Sequence, residues 1–158
     1  MYICGMKQLP YINNSQGIIG YSESSIAKSE SNDCFVRAVA SSFECSYDTA
    51  HEWVKEKFNR VDRKGTSFVT IKMAEMSSNK ETFHGKTVIS ISDLKSYDSS
   101  KSKMNRTTLN QFIKKYQTGT YIIIVMGHAF TLKNGSVIGN PNDSKSIKKI
   151  VHNAYQII

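Results

Sequence analysis

The sequence predicts an α+β fold, with helices near the N-terminus and an antiparallel sheet toward the C-terminus. Three observations carry that expectation. Apolar residues recur at helical spacing from Phe35 to Phe43 and again after Ser46. Apolar runs of strand length fill residues 121–139. Between two of those runs stands Asn134-Gly135, the strongest short-range cue for a hairpin.

The elements follow in chain order. Residues 1–31 are rich in Ser, Asn, Gly and Tyr and read as an irregular lead-in, with one short strand around Gly17 to Tyr21. A helix then begins at Asn32-Asp33, either of which is a good N-cap, and carries Phe35, Val36, Val39, Ala40 and Phe43 on its buried face. Cys34 lies in its first turn. A second helix, capped by Ser46, presents Ala50, Trp53, Val54 and Phe58 and closes a helical hairpin, with Trp53 and Phe58 in the core. From 59 to 105 the signal is weaker: Phe68 to Met76 is a short helix or strand, Thr87 to Ile91 a strand, and Ser96 to Lys103 a surface loop. A helix runs from Thr107 or Thr108 to Tyr116 and stops at Thr118-Gly119. Strands follow at Tyr121 to Val125, His128 to Lys133, Ser136 to Gly139 and Ile147 to Tyr155.

At 158 residues the chain is expected to form one domain, 1–158. Its 39% hydrophobic and 22% charged residues are ordinary for a globular protein. The longest unbroken apolar stretch, Tyr121 to Met126, is far below the roughly 20 residues that span a bilayer, so no membrane partner is expected. The first residues lack the basic and apolar regions of a secretory signal, which points to the cytoplasm. Lys and Arg exceed Asp and Glu by 21 − 13 = 8, but 17 of the 21 are Lys spread from Lys7 to Lys149. With no arginine-rich run and no interleaved aromatic and basic signature, a nucleic-acid partner is not expected. Cys4, Cys34 and Cys45 are odd in number and contain no CxxC, so neither a disulfide framework nor a zinc site is expected, and no cofactor is implied.

The chemistry centres on Cys34. A helix N-terminus lowers a thiol pKa, because the positive end of the macrodipole and unpaired N–H groups favour the thiolate. The same amides can hold a tetrahedral oxyanion. Such a nucleophile needs an imidazole as base and acid, and a third group to orient it. His128 opens a strand after Gly127, and Asn140 follows 140 − 128 = 12 residues later on the return strand, close enough for a Cys34-His128-Asn140 triad. Asp143 stands in reserve for the third position. Asp33 is open between a helix cap, a substrate-binding carboxylate and an oxyanion-region residue; Arg37 reads as half of a structural ion pair. Cys4 and Cys45 have no evident role, and His51, His84 and His152 default to the surface.

Two blocks carry a family resemblance: Asn32-Asp33-Cys34-Phe35-Val36-Arg37-Ala38-Val39-Ala40 with Tyr47 and Ala50 following, and Gly119-Thr120-Tyr121 with Gly127-His128-Ala129-Phe130 and Asn134-Gly135. Together they resemble the small papain-like cysteine peptidases of phage and bacterial genomes. The Cys block is also similar to ovarian-tumour-type deubiquitinases, and Gly-His-Ala-Phe with a downstream Asn-Pro is similar to bacteriocin-processing peptidases. The likeness covers about 60 residues and leaves the middle of the chain unmatched. It implies a papain-like fold, with the Cys-bearing helices packed on the His-bearing sheet, and a thiol hydrolase that cleaves a peptide or isopeptide bond in a protein substrate through an acyl-enzyme. Papain-like enzymes commonly place a Gln several residues before the nucleophile, and Ser25 to Ser31 contain none. Lys28, Asn32 or backbone amides would then serve the oxyanion. Acyl transfer and deamidation use the same triad. The competing reading is a catalytically silent module whose basic surface holds an acidic protein or nucleic acid. Residues Asn79 to Asn105, with five Lys against three acidic residues, are expected to border the substrate cleft.

Overall fold

The computed structural model describes residues 8–94, 106–145 and 147–158 and is mixed α and β, built on one seven-stranded sheet. The lead-in is structured. Tyr11–Asn13 (β1) enters the sheet, and the Asn13 side chain accepts from Ser15 N–H at 3.0 Å to start a short helix, Asn14–Gly17 (α1). That cap overrides the strand expected at Gly17 to Tyr21. Gly20 then turns the chain at φ 70°, and only the single bridge Ile19 to Ser46 remains. Ser24 caps Ser25–Ser29 (α2).

The expected hairpin follows as Cys34–Phe43 (α3) and Tyr47–Phe58 (α4). Glu44 reverses the chain between them at φ 57°. Phe68 to Met76 resolves as helix, Val69–Asn79 (α5), whose Met73 and Met76, three positions apart, are both buried. Thr82–Phe83 (β2) and Lys86–Ser90 (β3) form a hairpin across His84-Gly85, both at positive φ, as a two-residue primed turn requires. Phe83 stacks on Trp53 at 4.1 Å, tying this hairpin to α4.

Thr108 caps Leu109–Lys115 (α6). Thr120–Val125 (β4), His128–Lys133 (β5) and Ser136–Gly139 (β6) form the expected meander, and Pro141–Ser144 (α7) follows at once. The last strand is Asn153–Ile157 (β7), later than Ile147 to Tyr155. Residues 147, 149 and 151 bond instead to Asn110, Leu109 and Thr107 around the start of α6, and the first bond to β4 comes from the His152 N–H to the Ile124 carbonyl.

The strand order is β1-β6-β5-β4-β7-β3-β2, with every pair antiparallel except β1 beside β6. The sheet is therefore mixed, and β1, invisible to the sequence pattern, is the reason. Past Thr120, β4 is a continuous apolar run because both of its faces pack against a core. Ile122 faces the core of α3, α4 and α5, while Tyr121 and Ile123 face the second core beneath α6. Of the segment expected to border the cleft, residues 79–94 supply β2 and β3 at the far edge of the sheet from β6, and 95–105, including the expected loop at 96–103, lie outside the described residues. Among the described residues no helix is long and apolar enough to cross a membrane.

Candidate active site

α3 lies across β5, and one buried contact fixes their register. Ser41 Oγ donates to Thr131 Oγ1 at 2.6 Å, and Thr131 Oγ1 donates to the Ala38 carbonyl at 2.9 Å. With the helix pinned in that way, its first residue, Cys34, meets the first residue of β5, His128. The thiol is half-buried and faces the imidazole, with Asp143 lining the same small cleft.

His128 Nε2 lies 2.7 Å from Asp143 Oδ1. Asp143 is buried, and its other oxygen, Oδ2, accepts the Asn140 N–H at 2.9 Å. Pro141 at the start of α7 fixes the turn that delivers the carboxylate. Gly139 leaves room for it: a Cβ there would overlap Asp143 Oδ2.

The electrostatics favour charge separation. Burial pushes the Cys34 thiol up, but the bond and charge of His128, the Ala129 N–H and the Arg37 charge more than reverse this and hold it below its ordinary value. The Asp143 and Cys34 bonds raise His128 to about 9 against the burial that opposes them. Both shifts run in the direction that favours a thiolate beside an imidazolium.

The expected third member is corrected. Asn140 does not reach His128; its Oδ1 accepts from Arg37 Nη1 at 2.9 Å and from Asn14 Nδ2 at 3.1 Å. Asp143 takes the orienting place, because Nε2 points past the strand end into the first turn of α7. Asn32 is not beside the thiol either: its φ is 53° and its Nδ2 donates to the Arg63 carbonyl at 3.1 Å. Asp33 precedes α3 but its side chain caps nothing. Its carboxylate accepts from Tyr47 Oη at 2.7 Å and pairs with Arg37 Nε at 3.2 Å, the structural ion pair expected of Arg37. Burial and the neighbouring Asp33 push the Tyr47 hydroxyl well above its usual pKa. Among the described residues, the Cys34, Phe35 and Val36 N–H groups have no acceptor, and the first bond of the helix is Arg37 N–H to the Asp33 carbonyl.

Sequence reasoning missed Asn14, buried and 126 positions from the Asn140 it bonds; no local signal announces such a pair. It also left His51 at the surface, whereas His51 is buried 2.5 Å from Glu30 Oε2. Arg60 Nη1 bonds the same oxygen at 2.7 Å, and the Arg63 N–H reaches Oε1 at 2.7 Å. Burial would raise the Glu30 carboxyl, and these donors instead draw it down to about 2. Among the described residues, Glu30, His51 and Asp62 place ligand-type atoms within 4.8 Å of one another, but Arg60 already neutralises Glu30. That network ties residues 30–32, just ahead of α3, to the loop after α4.

No family model, curated protein or solved structure matches the chain.

Proposed function

We propose that this chain is a papain-like thiol hydrolase that cleaves a peptide or isopeptide bond in a protein substrate. The observation that carries the proposal is the continuous chain from the half-buried Cys34 thiol through His128 to the buried Asp143, with the thiol drawn down and the imidazole raised. A cysteine kept for packing has no need of an imidazole held by a carboxylate. Cys45, buried without such a partner, shows the contrast, for burial raises it to about 11.

The chemistry follows from the positions. The Cys34 thiolate attacks the carbonyl carbon, and the carbonyl π electrons move to oxygen. The oxyanion lies toward the open first-turn amides of α3, with the positive end of the helix dipole behind them. As the C–N bond breaks, His128 gives its proton to the departing amine and a thioester remains on Cys34. Neutral His128 then takes a proton from water, whose oxygen attacks the thioester, and the acid leaves with the thiolate restored. Asp143 keeps Nε2 engaged so that the other ring nitrogen serves the sulfur. An amine in place of water would give acyl transfer, and a Gln side chain in place of the peptide would give deamidation.

Labelling with iodoacetamide at pH 6 to 7 tests the proposal. Cys34 should react far ahead of Cys45, His128→Ala should slow that reaction, and Cys34→Ala should abolish turnover of a peptide library while the fold persists. Equal, slow labelling of all three thiols, Cys4 outside the described residues included, would favour the silent binding module instead.

A further inference from the structure

We infer, on the hydrolase reading above, that Tyr47 is a positioning residue: its hydroxyl holds the Asp33 carboxylate off the N-terminus of α3, keeping the first-turn amides open for the acyl oxygen. Four other helices of this protein show what the residue before a helix ordinarily does. Asn13, Ser24, Ser46 and Thr108 all have extended backbone, and the side chain of each accepts an N–H from the first turn that follows. Asp33 belongs to the same class of capping residues and stands in the same place before α3, yet it caps nothing.

The reason is visible in its partners. Tyr47 is the first residue of α4, fully buried, and packs edge-on against Tyr21 at 5.4 Å, so its hydroxyl is a fixed point. That hydroxyl donates to Asp33 Oδ2, while Oδ1 faces Arg37 Nε. The Asp33 backbone is drawn to φ −104°, ψ 22°, away from capping geometry, and Asn32 before it is left-handed and anchored on the Arg63 carbonyl. A carboxylate free to turn onto its own helix would occupy the amides beside Cys34. It would also set a negative charge where the oxyanion develops. The ion pair with Arg37 alone, in line along the helix side, does not prevent that rotation; the tyrosine on the neighbouring helix does.

The test compares wild type, Tyr47→Phe and the double variant Tyr47→Phe/Asp33→Ala in three measurements: amide hydrogen exchange at Phe35 and Val36, release of nitrophenolate from 4-nitrophenyl acetate, and iodoacetamide alkylation of Cys34 on its alkaline plateau. In Tyr47→Phe the released carboxylate should slow exchange at one of the two amides at least about tenfold, as a new cap does. Nitrophenolate release should fall on the order of ten- to a hundredfold, the scale of a lost oxyanion donor. Alkylation, which develops no oxyanion, should stay within about threefold. The double variant, having no carboxylate to turn, should recover both exchange and nitrophenolate release. Unchanged exchange in Tyr47→Phe overturns the inference, as does a loss of nitrophenolate release that Asp33→Ala fails to relieve. An equal fall in alkylation and acyl release also overturns it, because that marks a disturbed thiol. A wild-type protein that alkylates fast but releases no nitrophenolate overturns the hydrolase reading instead, and the exchange measurement still decides whether Tyr47 restrains Asp33.

Discussion

Asp143→Asn, set beside Asn140→Ala, separates the residue that orients His128 from the one the sequence favoured. Asp143→Asn keeps the side-chain shape and removes the charge whose bond to Nε2 is the largest cause of the raised His128 pKa. The rise from the ordinary 6.5 to about 9 corresponds, at 1.36 kcal/mol per pH unit, to about 3 kcal/mol in favour of the charged ring. Cys34 supplies part of it, so loss of the Asp143 charge should lower the imidazolium pKa by roughly one to two pH units. Near pH 8 the ring of the variant is then largely neutral where that of the wild type is charged, so the thiolate loses its partner and alkylation of Cys34 there should slow roughly three- to tenfold. At pH 6, where both rings are charged, the two proteins should differ little. Asn140→Ala loses the bonds to Arg37 and Asn14 but keeps the backbone N–H that holds Asp143 Oδ2, and should leave the ring titration within about half a pH unit. The assay is a proton NMR titration of the histidine Cε1–H resonances from pH 5 to 10, with the His128 line assigned by its loss in His128→Gln. If Asn140→Ala lowers the His128 pKa as far as Asp143→Asn does, or if Asp143→Asn leaves it near 9, the assignment of Asp143 is refuted.

Three further outcomes are expected. Gly139→Ala drives a methyl into Asp143 Oδ2, which the Asn140 N–H holds in place, so it should reproduce the low His128 pKa of Asp143→Asn in a folded protein; a titration still near 9 would show that the carboxylate moves aside freely. Arg60→Met strands the Glu30 carboxylate, whose side chain is only 2% exposed, and should cost about 3 to 5 kcal/mol in urea unfolding, largely recovered in Glu30→Gln/Arg60→Met. In Cys34→Ala the His128 proton has lost its thiolate partner but keeps Asp143. Its folded pKa stays above the unfolded 6.5, so this stabilisation is fully present below about pH 6.5 and is lost as pH rises through the folded value. Unfolding midpoints at pH 6 and pH 9.5 measure the difference, and adding Asp143→Asn should flatten it.

What the sequence made legible was local. The period of Phe35, Val36, Val39 and Phe43, the cap at Ser46 and the Asn134-Gly135 turn sufficed to place Cys34 at a helix start and His128 at a strand start. Contacts between distant segments were illegible. β1 is three residues long with a half-exposed face, too short for any periodicity, and it joins the sheet only because β6 offers a free edge. Asn140 and Asp143 are three positions apart and both polar. What separates them is the direction in which α7 turns after Pro141, together with the two donors, Arg37 and Asn14, that claim Asn140 first. Asp33 misled for a related reason: capping statistics describe an isolated helix, and Tyr47 arrives from the next one.

The place of β7 in the sheet dictates an order of assembly. β4, β5 and β6 are joined by short turns and can pair as soon as they exist, while β2 and β3 make a separate hairpin some thirty residues earlier in the chain. Within the sheet, among the described residues, the two pieces meet only through β7, which lies between β4 and β3 and pairs Ile122 with Tyr155 on one side and Val88 with Ile157 on the other. The core beneath α3, α4 and α5 draws on both pieces, for it holds Val88 together with Ile122 and Ala129. Loop closure over so long a separation is slow. During synthesis, then, Cys34 and His128 can both have emerged while the surface that presses α3 against β5 is still incomplete. The core that presses α3 against β5 is therefore complete only once residues 153–157 have taken their place between β4 and β3.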